Sequence, residues 1–237
     1  SGAALAMIDK NQIEDHARFL EYLSRNSVSV VTLPPVYLHT LEHNLLPAIK
    51  TIITAGEPAI KEDALFYSSI KNYFNAYGPT ETSVCAAFHK VDPRIDYSDA
   101  IPIGQPIANS SIYILDKHFN PVPIGIAGEM YFGGVGIARG YIGRDDLTRE
   151  KFIPNPFNDN KSLYGSSERL YRIGDIGRWL LTGDIEFLGR TDDQVKIRGF
   201  RIELGEIEAA LKSFPEVNNA LVQLWKDGNG MERLCAY

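Results

Sequence analysis

The chain has 237 residues, of which 44% are hydrophobic and 23% charged, a composition typical of a folded globular protein rather than a disordered or collagen-like one. The balance of 24 Lys and Arg against 30 Asp and Glu gives a net charge of −6. This charge argues against a nucleic-acid partner, because no basic excess exists to displace counterions from phosphates.

Cysteine usage and hydropathy indicate a cytoplasmic protein with no membrane partner. Cys85 and Cys235 are far apart in the sequence and show no metal-ligand spacing, which favours a reducing environment. No apolar stretch approaches the ~20 residues that a membrane-spanning helix needs. The first residues lack the basic region and apolar core of a signal peptide.

The first part of the chain predicts alternating helices and strands. Apolar residues recur at helical spacing in 11–25, and β-branched residues dominate the next short stretch. The predicted elements are a helix at 11–25, a strand at 28–33, a helix at 38–46, a strand at 51–54, a helix at 61–70 and a strand at 73–75. Such alternation indicates a parallel sheet, with ligands beyond the carboxyl ends of its strands.

After about residue 91 the pattern changes to short strands and turns rich in Gly and Pro. We expect strands at 111–115, 128–132, 178–181 and 185–188, with a hairpin turn at 182–184. From about residue 191 we expect a charged strand at 194–198, a helix at 204–214 and a hairpin closed over 227–230. The sequence therefore predicts three parts, residues 1–91, 92–190 and 191–237.

The strand that ends at Asn75 leads directly into a loop with nucleotide-binding chemistry. Tyr77 offers a flat face for a base, and Asn75 can hydrogen-bond the base edge. Thr80 can donate to a phosphate oxygen, and Glu81 is a hard oxygen ligand suited to Mg²⁺. The alternative is an ordinary surface turn with a half-buried tyrosine, since Gly-Pro turns are common.

Two further motifs are weaker on their own. The segment 128–141 is dense in glycine but lacks the strand-to-helix context of a phosphate loop, so we interpret its glycines as structural, for bends or close backbone approach. Asp175 follows a turn glycine and can accept both hydroxyls of a ribose. A solvated turn aspartate is the alternative.

The segment 189–208 is more unusual, because it packs four cations and five carboxylates around its glycines. Together, 75–81, 128–141, 171–175 and 189–208 resemble the successive core motifs of the adenylate-forming superfamily, in the order found in amino-acid adenylation domains of non-ribosomal peptide synthetases. The resemblance covers nearly the whole chain. One departure is Ile173, where the family usually carries threonine.

The resemblance implies an incomplete adenylate-forming enzyme fold: a parallel-sheet α/β lobe, a β-rich barrel-like subdomain and the start of a small α+β C-terminal lobe. It implies that an amino acid reacts with ATP and Mg²⁺ to give aminoacyl-AMP. The acyl group then passes to the phosphopantetheine thiol of a carrier domain, and a small MbtH-like activator is a further partner that the resemblance allows.

The resemblance also assigns residues, with Tyr77 stacked on adenine, Asp175 on the ribose hydroxyls and Glu81 on the metal. The implied nucleotide-binding residues are Gly56, Asn75, Tyr77, Asp175, Phe187 and Arg190. The implied catalytic residues are Thr80, Glu81, Arg190 and Lys196. Phe187 lacks a hydroxyl, so packing is its only available role.

Two more functions follow from the resemblance. Asp192 aligns with the hinge about which the small lobe rotates, and Lys196, Arg198 and Gly199 then lie on the loop for thiol transfer. The implied amino-acid pocket is lined by Thr32, Ile53, Ala55, Ala76, Val84 and Cys85. This lining is uncharged and resembles that of phenylalanine-activating domains, so we expect phenylalanine or another large apolar residue as substrate.

Two family elements are not found in these residues, namely the phosphate loop with its upstream aspartate and the C-terminal lysine. We therefore expect an internal piece of a longer synthetase that is inactive in isolation. Two alternatives stay open: an aryl- or acyl-CoA ligase of the same superfamily, and a non-catalytic module that binds a carrier protein or an activator.

Overall fold

The computed structural model describes residues 2–98, 100–158, 168–192, 194–197, 200–226 and 232–237. The chain forms two compact units. Unit 1 contains Ser1–Ala108 and Thr182–Glu186, and unit 2 contains Asn109–Leu181 and Phe187–Tyr237. The expected division into three domains at residues 91 and 190 stays a prediction. Among the described helices, none combines the length and the apolarity needed to cross a membrane.

Unit 1 alternates helices and strands. Its elements are α1 (Lys10–Glu14), α2 (His16–Arg25), β1 (Val30–Leu33), α3 (Pro35–His39), β2 (Thr51–Thr54), α4 (Lys61–Ile70), β3 (Asn72–Tyr77), β4 (Ala87–Lys90) and β5 (Gln105–Pro106). They build a five-stranded sheet in the order β1-β2-β3-β4-β5. The first three strands are parallel, as expected, whereas β4 and β5 pair antiparallel and make the sheet mixed.

The sheet of unit 1 has one covered face and one more open face. Strand alternation places Val31, Ile52 and Tyr73 on the same face, where they join α2, α3 and α4 in the hydrophobic core. The opposite face carries Val30 and Phe88, whose exposed fractions are 54% and 44%. The face opposite the core is therefore where apolar side chains of this sheet remain accessible.

The helix expected at 11–25 is two helices, because Asp15 interrupts it. The Asp15 carboxylate accepts hydrogen bonds from the backbone N–H groups of Ala17 and Arg18, at 3.0 and 3.1 Å, and so caps α2. The Asp9 carboxylate caps α1 in the same way. An aspartate that satisfies free N–H groups starts a helix better than it continues one.

The helix expected at 38–46 is wrong, since α3 ends at His39. Glu42, His43 and Leu46 have positive φ angles of 48°, 57° and 46°, which no helix contains. Tertiary contacts hold this loop: His43 Nε2 bonds the buried Asp63 carboxylate at 2.8 Å, and Lys71 Nζ donates to Leu46 O at 2.9 Å. Contacts with distant residues therefore override the local apolar pattern.

Unit 2 is rich in strands. Its elements are β6 (Ser110–Leu115), β7 (Gly128–Gly134), α5 (Asp145–Lys151), β8 (Phe152–Pro154), β9 (Arg169–Trp179), β10 (Ile185–Arg190), β11 (Gln194–Ile197), β12 (Phe200–Glu203), α6 (Leu204–Lys212), β13 (Val222–Lys226) and β14 (Glu232–Ala236), with the first two residues of β10 in unit 1. The main sheet has the order β10-β9-β7-β6, and β8 pairs antiparallel with β9. Two further sheets of unit 2 each consist of one antiparallel pair, β11–β12 and β13–β14.

Several strand expectations in this unit need correction. The strand expected at 178–181 is the end of the longer β9, and Leu181 lies beyond it with 94% of its surface exposed. The helix α5 and the strands β8 and β12 were not predicted from the sequence. The hairpin expected over 227–230 lies outside the described residues, although β13 and β14 on either side of it do pair.

The structural interpretation of the glycines in 128–141 is confirmed. At Gly134 the φ angle is 117°, and an added Cβ would lie 2.2 Å from the carbonyl oxygen of Asn109. Gly134 pairs with Ser110 at the end of β7. Only glycine permits this backbone conformation and this close approach of the two strands.

Candidate functional site

In unit 1, the loop after β3 is closed tightly by Gly78. A Cβ at this position would lie 2.7 Å from the Ala86 backbone nitrogen and 2.9 Å from the Val84 carbonyl oxygen. Next to it, the Ala86 N–H donates to Tyr77 O at 2.8 Å. The chain therefore folds back on itself immediately after the strand, which fixes the direction in which the residues after Pro79 leave the sheet.

Asn75 is oriented by the backbone of a neighbouring loop. Its side chain is 3% exposed, and Nδ2 donates to Pro102 O at 2.8 Å and to Ile101 O at 3.4 Å. Because both hydrogens of the amide are directed at carbonyl oxygens, Oδ1 is left as the hydrogen-bond acceptor of this side chain. An acceptor at this position suits the amino group of an adenine edge.

Thr80 and Glu81 lie in a 3₁₀ turn that begins directly after Pro79. The turn is held by Thr82 N–H and Thr82 Oγ1, which both donate to Pro79 O at 3.1 Å. Thr80 is exposed, whereas Glu81 is only 8% exposed. A carboxylate that is largely shielded from water gains most from a cation close to it.

The donor set around Glu81 fits Mg²⁺ held jointly with phosphates. No group of three or more His, Cys, Asp or Glu side chains in the described part of the chain is arranged to hold a metal ion by itself. Mg²⁺ is commonly bound by one or two carboxylates plus substrate phosphates, with water at the remaining positions. A single carboxylate in this loop is what such a site requires of the protein.

Three of the six expected pocket residues share the sheet face of unit 1 opposite the core. Thr32 pairs with Ile53, Ile53 pairs with Phe74, and Ala76 lies two residues beyond Phe74 on the same face. Ala55 and then Gly56 follow the end of β2. The structure therefore brings the uncharged side chains of Thr32, Ile53 and Ala76 to one face, on which Lys90 lies opposite Phe74.

Val84 and Cys85 do not belong to a strand but to the loop that leads into β4. Val84 has a φ angle of 75° and is 76% exposed. The Cys85 Sγ–H donates to Ala87 O at 3.3 Å, and burial raises the pKa of this thiol. A thiol that stays protonated is a small apolar side chain and not a nucleophile, which is consistent with a lining role.

In unit 2, Asp175 and Arg190 form a buried ion pair between β9 and β10. The Asp175 side chain is 2% exposed, and Arg190 Nη1 donates to its Oδ1. Arg190 Nη2 also donates to Ile173 O at 3.2 Å. The hydrophobic Ile173 is 4% exposed, so its side chain packs into the unit while its carbonyl group serves the site.

The same guanidinium also holds Asp192. Arg190 Nε donates to Asp192 Oδ1 at 2.7 Å and Nη2 donates to Oδ2 at 2.9 Å, which is a bidentate fork. The Gln194 N–H donates to Asp192 Oδ1 at 3.3 Å and so ties this carboxylate to the start of β11. The expected ribose ligand and the expected hinge residue therefore share one cation.

Electrostatics favours the charged forms of Arg190 and Asp192. Burial pushes the pKa of the Asp192 carboxyl upward, but the hydrogen bonds and charge of Arg190 outweigh it and leave that pKa below its usual range. Burial likewise lowers the pKa of Arg190, but hydrogen bonds to Asp192 and the charges of Asp175 and Asp192 raise it above its usual range. The cluster is thus a stable ionic network.

The remaining expected residues are placed as follows. Phe187 lies half-buried in β10, three residues before Arg190. Lys196 lies in β11 opposite Arg201, but its side chain is outside the described part of the structure. Arg198 and Gly199 lie outside the described residues.

The sequence reading treated Arg190 and Asp192 separately and missed their bond. The signal was present in their spacing, because side chains two residues apart in an extended segment point to the same side. The pairing of Arg190 with Asp175 had no such local signal, since the two are fifteen residues apart.

Curated proteins match the sequence over the whole of this chain, which spans only a small part of each of them. The model of the AMP-binding enzyme family matches residues 1–142. Tyrocidine synthase 1 from Brevibacillus parabrevis is 44% identical over 237 residues, which is 100% of this chain and 21% of that protein. Bacitracin synthase 3 from Bacillus licheniformis is 43% identical over the whole chain, which spans 4% of that protein.

Solved structures give the same result. The holo form of PA1221, an NRPS protein with adenylation and PCP domains, superposes with a TM-score of 0.83 at 27% identity over 94% of this chain and 39% of that chain. IdnL1 superposes with a TM-score of 0.81 at 25% identity over 97% of this chain and 47% of that chain. This chain therefore belongs to the AMP-binding enzyme family and corresponds to part of an adenylation domain of a non-ribosomal peptide synthetase.

Proposed function

We propose that the enzyme containing this chain activates an amino acid as aminoacyl-AMP with ATP and then transfers it to the phosphopantetheine thiol of a carrier domain. The observation that supports this most is the buried Asp175 carboxylate, held in place by Arg190. A buried carboxylate oriented by a fixed cation is well suited to accept both hydroxyls of a ribose.

The two steps make a poor acyl donor reactive. In the first, an oxygen of the substrate carboxylate attacks the α-phosphorus of ATP, the bond to the bridging oxygen breaks, and pyrophosphate leaves. In the second, the thiolate sulfur attacks the acyl carbon and AMP leaves. The protein has to align these groups and offset the negative charge that develops between them.

Each proposed contact uses an atom whose chemistry fits it. Asn75 Oδ1 accepts from the adenine amino group, and Tyr77 stacks on the ring. The exposed Thr80 hydroxyl donates to an α-phosphate oxygen, while Glu81 holds Mg²⁺. A bound Mg²⁺ neutralises phosphate charge and so lowers the barrier to attack.

The remaining proposed roles belong to Gly56 in unit 1 and to four residues of unit 2. Gly56 lies in the nucleotide-binding loop after β2, Phe187 packs beside the nucleotide, and Arg190 lies near the ribose and phosphate. Asp192 is the hinge, and Lys196 takes part in catalysis from β11. These assignments give unit 2 both a nucleotide-binding and a conformational function.

The proposed substrate is phenylalanine or another large apolar amino acid. Thr32, Ile53 and Ala76 carry no charge, and Ala76 leaves space because its side chain is small. The row Thr32, Ile53 and Phe74 continues to Lys90 in β4, so the nearest charge on this face lies in β4. A charged side chain buried against Thr32, Ile53 and Ala76 would lose its hydration without gaining a partner of opposite charge from them. An apolar side chain gains from burial instead.

The proposed partner is a peptidyl carrier domain, and a small MbtH-like activator is a further candidate. PA1221 contains an adenylation domain and a PCP domain, which supports the first. A cytoplasmic location is consistent with two cysteines that are both free.

The test is ATP–pyrophosphate exchange by the intact parent enzyme with each amino acid in turn. We expect phenylalanine or another large apolar residue to give the highest kcat/KM, because none of the proposed lining residues is charged. A preference for lysine or glutamate would contradict the pocket assignment. No exchange with any amino acid would overturn the proposed activity itself.

A further inference from the structure

We propose that Asp192 is a positioning residue for the nucleotide, which acts on Asp175 through the Arg190 guanidinium that the two carboxylates share. This inference rests on the proposed function, in which Asp175 binds the ribose and Asp192 is the hinge. It makes the hinge conformation and the nucleotide affinity depend on each other, although Asp192 has no part in the proposed nucleotide contacts.

The geometry of Arg190 is the first step of the argument. Its planar guanidinium bonds Asp192 through Nε and Nη2 at 2.7 and 2.9 Å, Asp175 through Nη1, and Ile173 O through Nη2 at 3.2 Å. The side chains of Arg190 and Asp175 are only 12% and 2% exposed. A rigid donor plane that holds two carboxylates fixes the orientation of each relative to the other.

The second step is that the proposed hinge segment is anchored to the part of β9 that carries Asp175. Thr191 donates to Gly174 O with its backbone N–H at 2.8 Å and with Oγ1 at 3.0 Å. A change of the backbone dihedral angles at Asp192 swings its carboxylate relative to this anchored segment. Such a rotation therefore breaks the fork to Arg190 while Thr191 stays in place.

The third step links the fork to ribose binding. Without the fork, Arg190 keeps its bonds to Asp175 and to Ile173 O, but Asp192 no longer fixes the orientation of its plane. Asp175 then loses the oriented cation that aims its oxygens at a diol. Coupling of this kind is reciprocal, so a nucleotide on Asp175 must favour the hinge conformation in which the fork is intact.

The test is Asp192→Asn in the intact parent enzyme, with AMP as the probe. Asparagine has the same shape, but its amide nitrogen replaces one oxygen that accepts from Arg190, so the fork is lost. We expect the AMP dissociation constant to rise about fivefold, with thermal stability unchanged. In the unaltered enzyme, AMP should slow hydrogen exchange of the Gln194 amide, which donates to Asp192 Oδ1, and this effect should shrink in the variant.

A second pair of residues provides a matched control. Arg144 holds Asp146 with the same fork at the same spacing, at 3.1 and 2.9 Å, but at an exposed site. Asp146→Asn should therefore leave AMP affinity unchanged. A purely local effect of removing such a fork would show equally in both variants.

Asp175→Asn separates failure of this inference from failure of the proposed function. If Asp175→Asn weakens AMP binding but Asp192→Asn does not, the coupling is refuted and the ribose assignment stands. If Asp175→Asn has no effect, the ribose assignment itself fails. The double variant should bind AMP no more weakly than Asp175→Asn alone, because both substitutions interrupt the same connection.

Discussion

The missing side chain of Gly78 determines the shape of the loop that carries Thr80 and Glu81. The backbone atoms of Val84 and Ala86 approach so closely that even a methyl group finds no room. The positions of Thr80 and Glu81, the proposed phosphate and magnesium ligands, therefore depend on the close packing of Gly78. Glycine is required at position 78 because of backbone packing and not because it binds a ligand.

Gly78→Ala should destabilise the chain by about 1–3 kcal/mol, because the loop must shift to relieve the overlap. The midpoint of denaturant unfolding measures this, and the KM for ATP of the intact enzyme should rise. Gly205→Ala is the matched control, since a Cβ at Gly205 in α6 meets nothing within 4 Å. If both substitutions behave alike, the close approach at Gly78 is not limiting.

For single residues, the sequence predicted which side chains could bind a ligand better than it predicted which side chains bond to each other. Asp175 and Glu81 were recognisable as carboxylates with binding chemistry. Asp175 lies within β9, and Glu81 lies in the 3₁₀ turn after Pro79. The bond between Asp175 and Arg190 depends on the register of β9 and β10, which no local pattern encodes. The orientation of the Asn75 amide similarly depends on Pro102, a distant residue.

Among the elements, β3 carries residues of both the hydrophobic core of unit 1 and the candidate functional site. Its alternation directs Tyr73 into the core, where its hydroxyl shares a hydrogen bond of 2.8 Å with Thr54, and directs Ala76 to the opposite face. Burial raises the pKa of Tyr73 to about 12. The strand thus anchors the site through a polar group that must stay neutral.

This burial predicts a loss of stability at alkaline pH. Because the folded-state pKa lies above the ordinary value of 10.0, the contribution of Tyr73 is fully present below pH 10 and is lost as the pH rises toward 12. The expected loss is about 3 kcal/mol over this window.

Denaturant unfolding at a series of pH values measures this loss. Tyr73→Phe should reduce the slope of stability against pH in this window, since phenylalanine does not titrate. Equal slopes in the two proteins would contradict the assignment to Tyr73.

The local spacing of apolar residues predicted some helices and strands correctly and others wrongly, and the difference has a physical reason. The strand at Thr51–Thr54 and the helix at Lys61–Ile70 were predicted with their bounds, because short-range preference and tertiary packing agree there. At 38–46 the apolar spacing favoured a helix, but His43 and Leu46 are held by Asp63 and Lys71. Such contacts cannot be inferred from the segment alone.

At the scale of the whole molecule, unit 1 is discontinuous in sequence. Residues Thr182–Glu186 belong to it, although the chain on both sides of them belongs to unit 2. Ile185 N–H donates to Gly104 O at 2.8 Å, and Ile103 N–H donates to Ile185 O at 2.9 Å. The sequence predicted a hairpin turn at 182–184 but not this pairing, because the partners are some eighty residues apart.

Ile185→Ala should therefore weaken unit 1, despite its position beyond residue 108. Ile185 is fully buried, and truncation of such a side chain costs about 2–5 kcal/mol. We expect faster hydrogen exchange in β3 and β4. Leu181→Ala, at an exposed position four residues earlier, should change nothing. A loss of protection confined to β9 would contradict this assignment.

The discontinuity of unit 1 also limits how specificity can be engineered by recombination. A donor segment that ends at residue 108 would carry the proposed substrate-lining residues but not Thr182–Glu186, which belong to the same unit. The chimaera would then combine a sheet from the donor with residues 182–186 of the recipient. Chimaeras should instead exchange both segments together, with junctions at residues 108, 181 and 186.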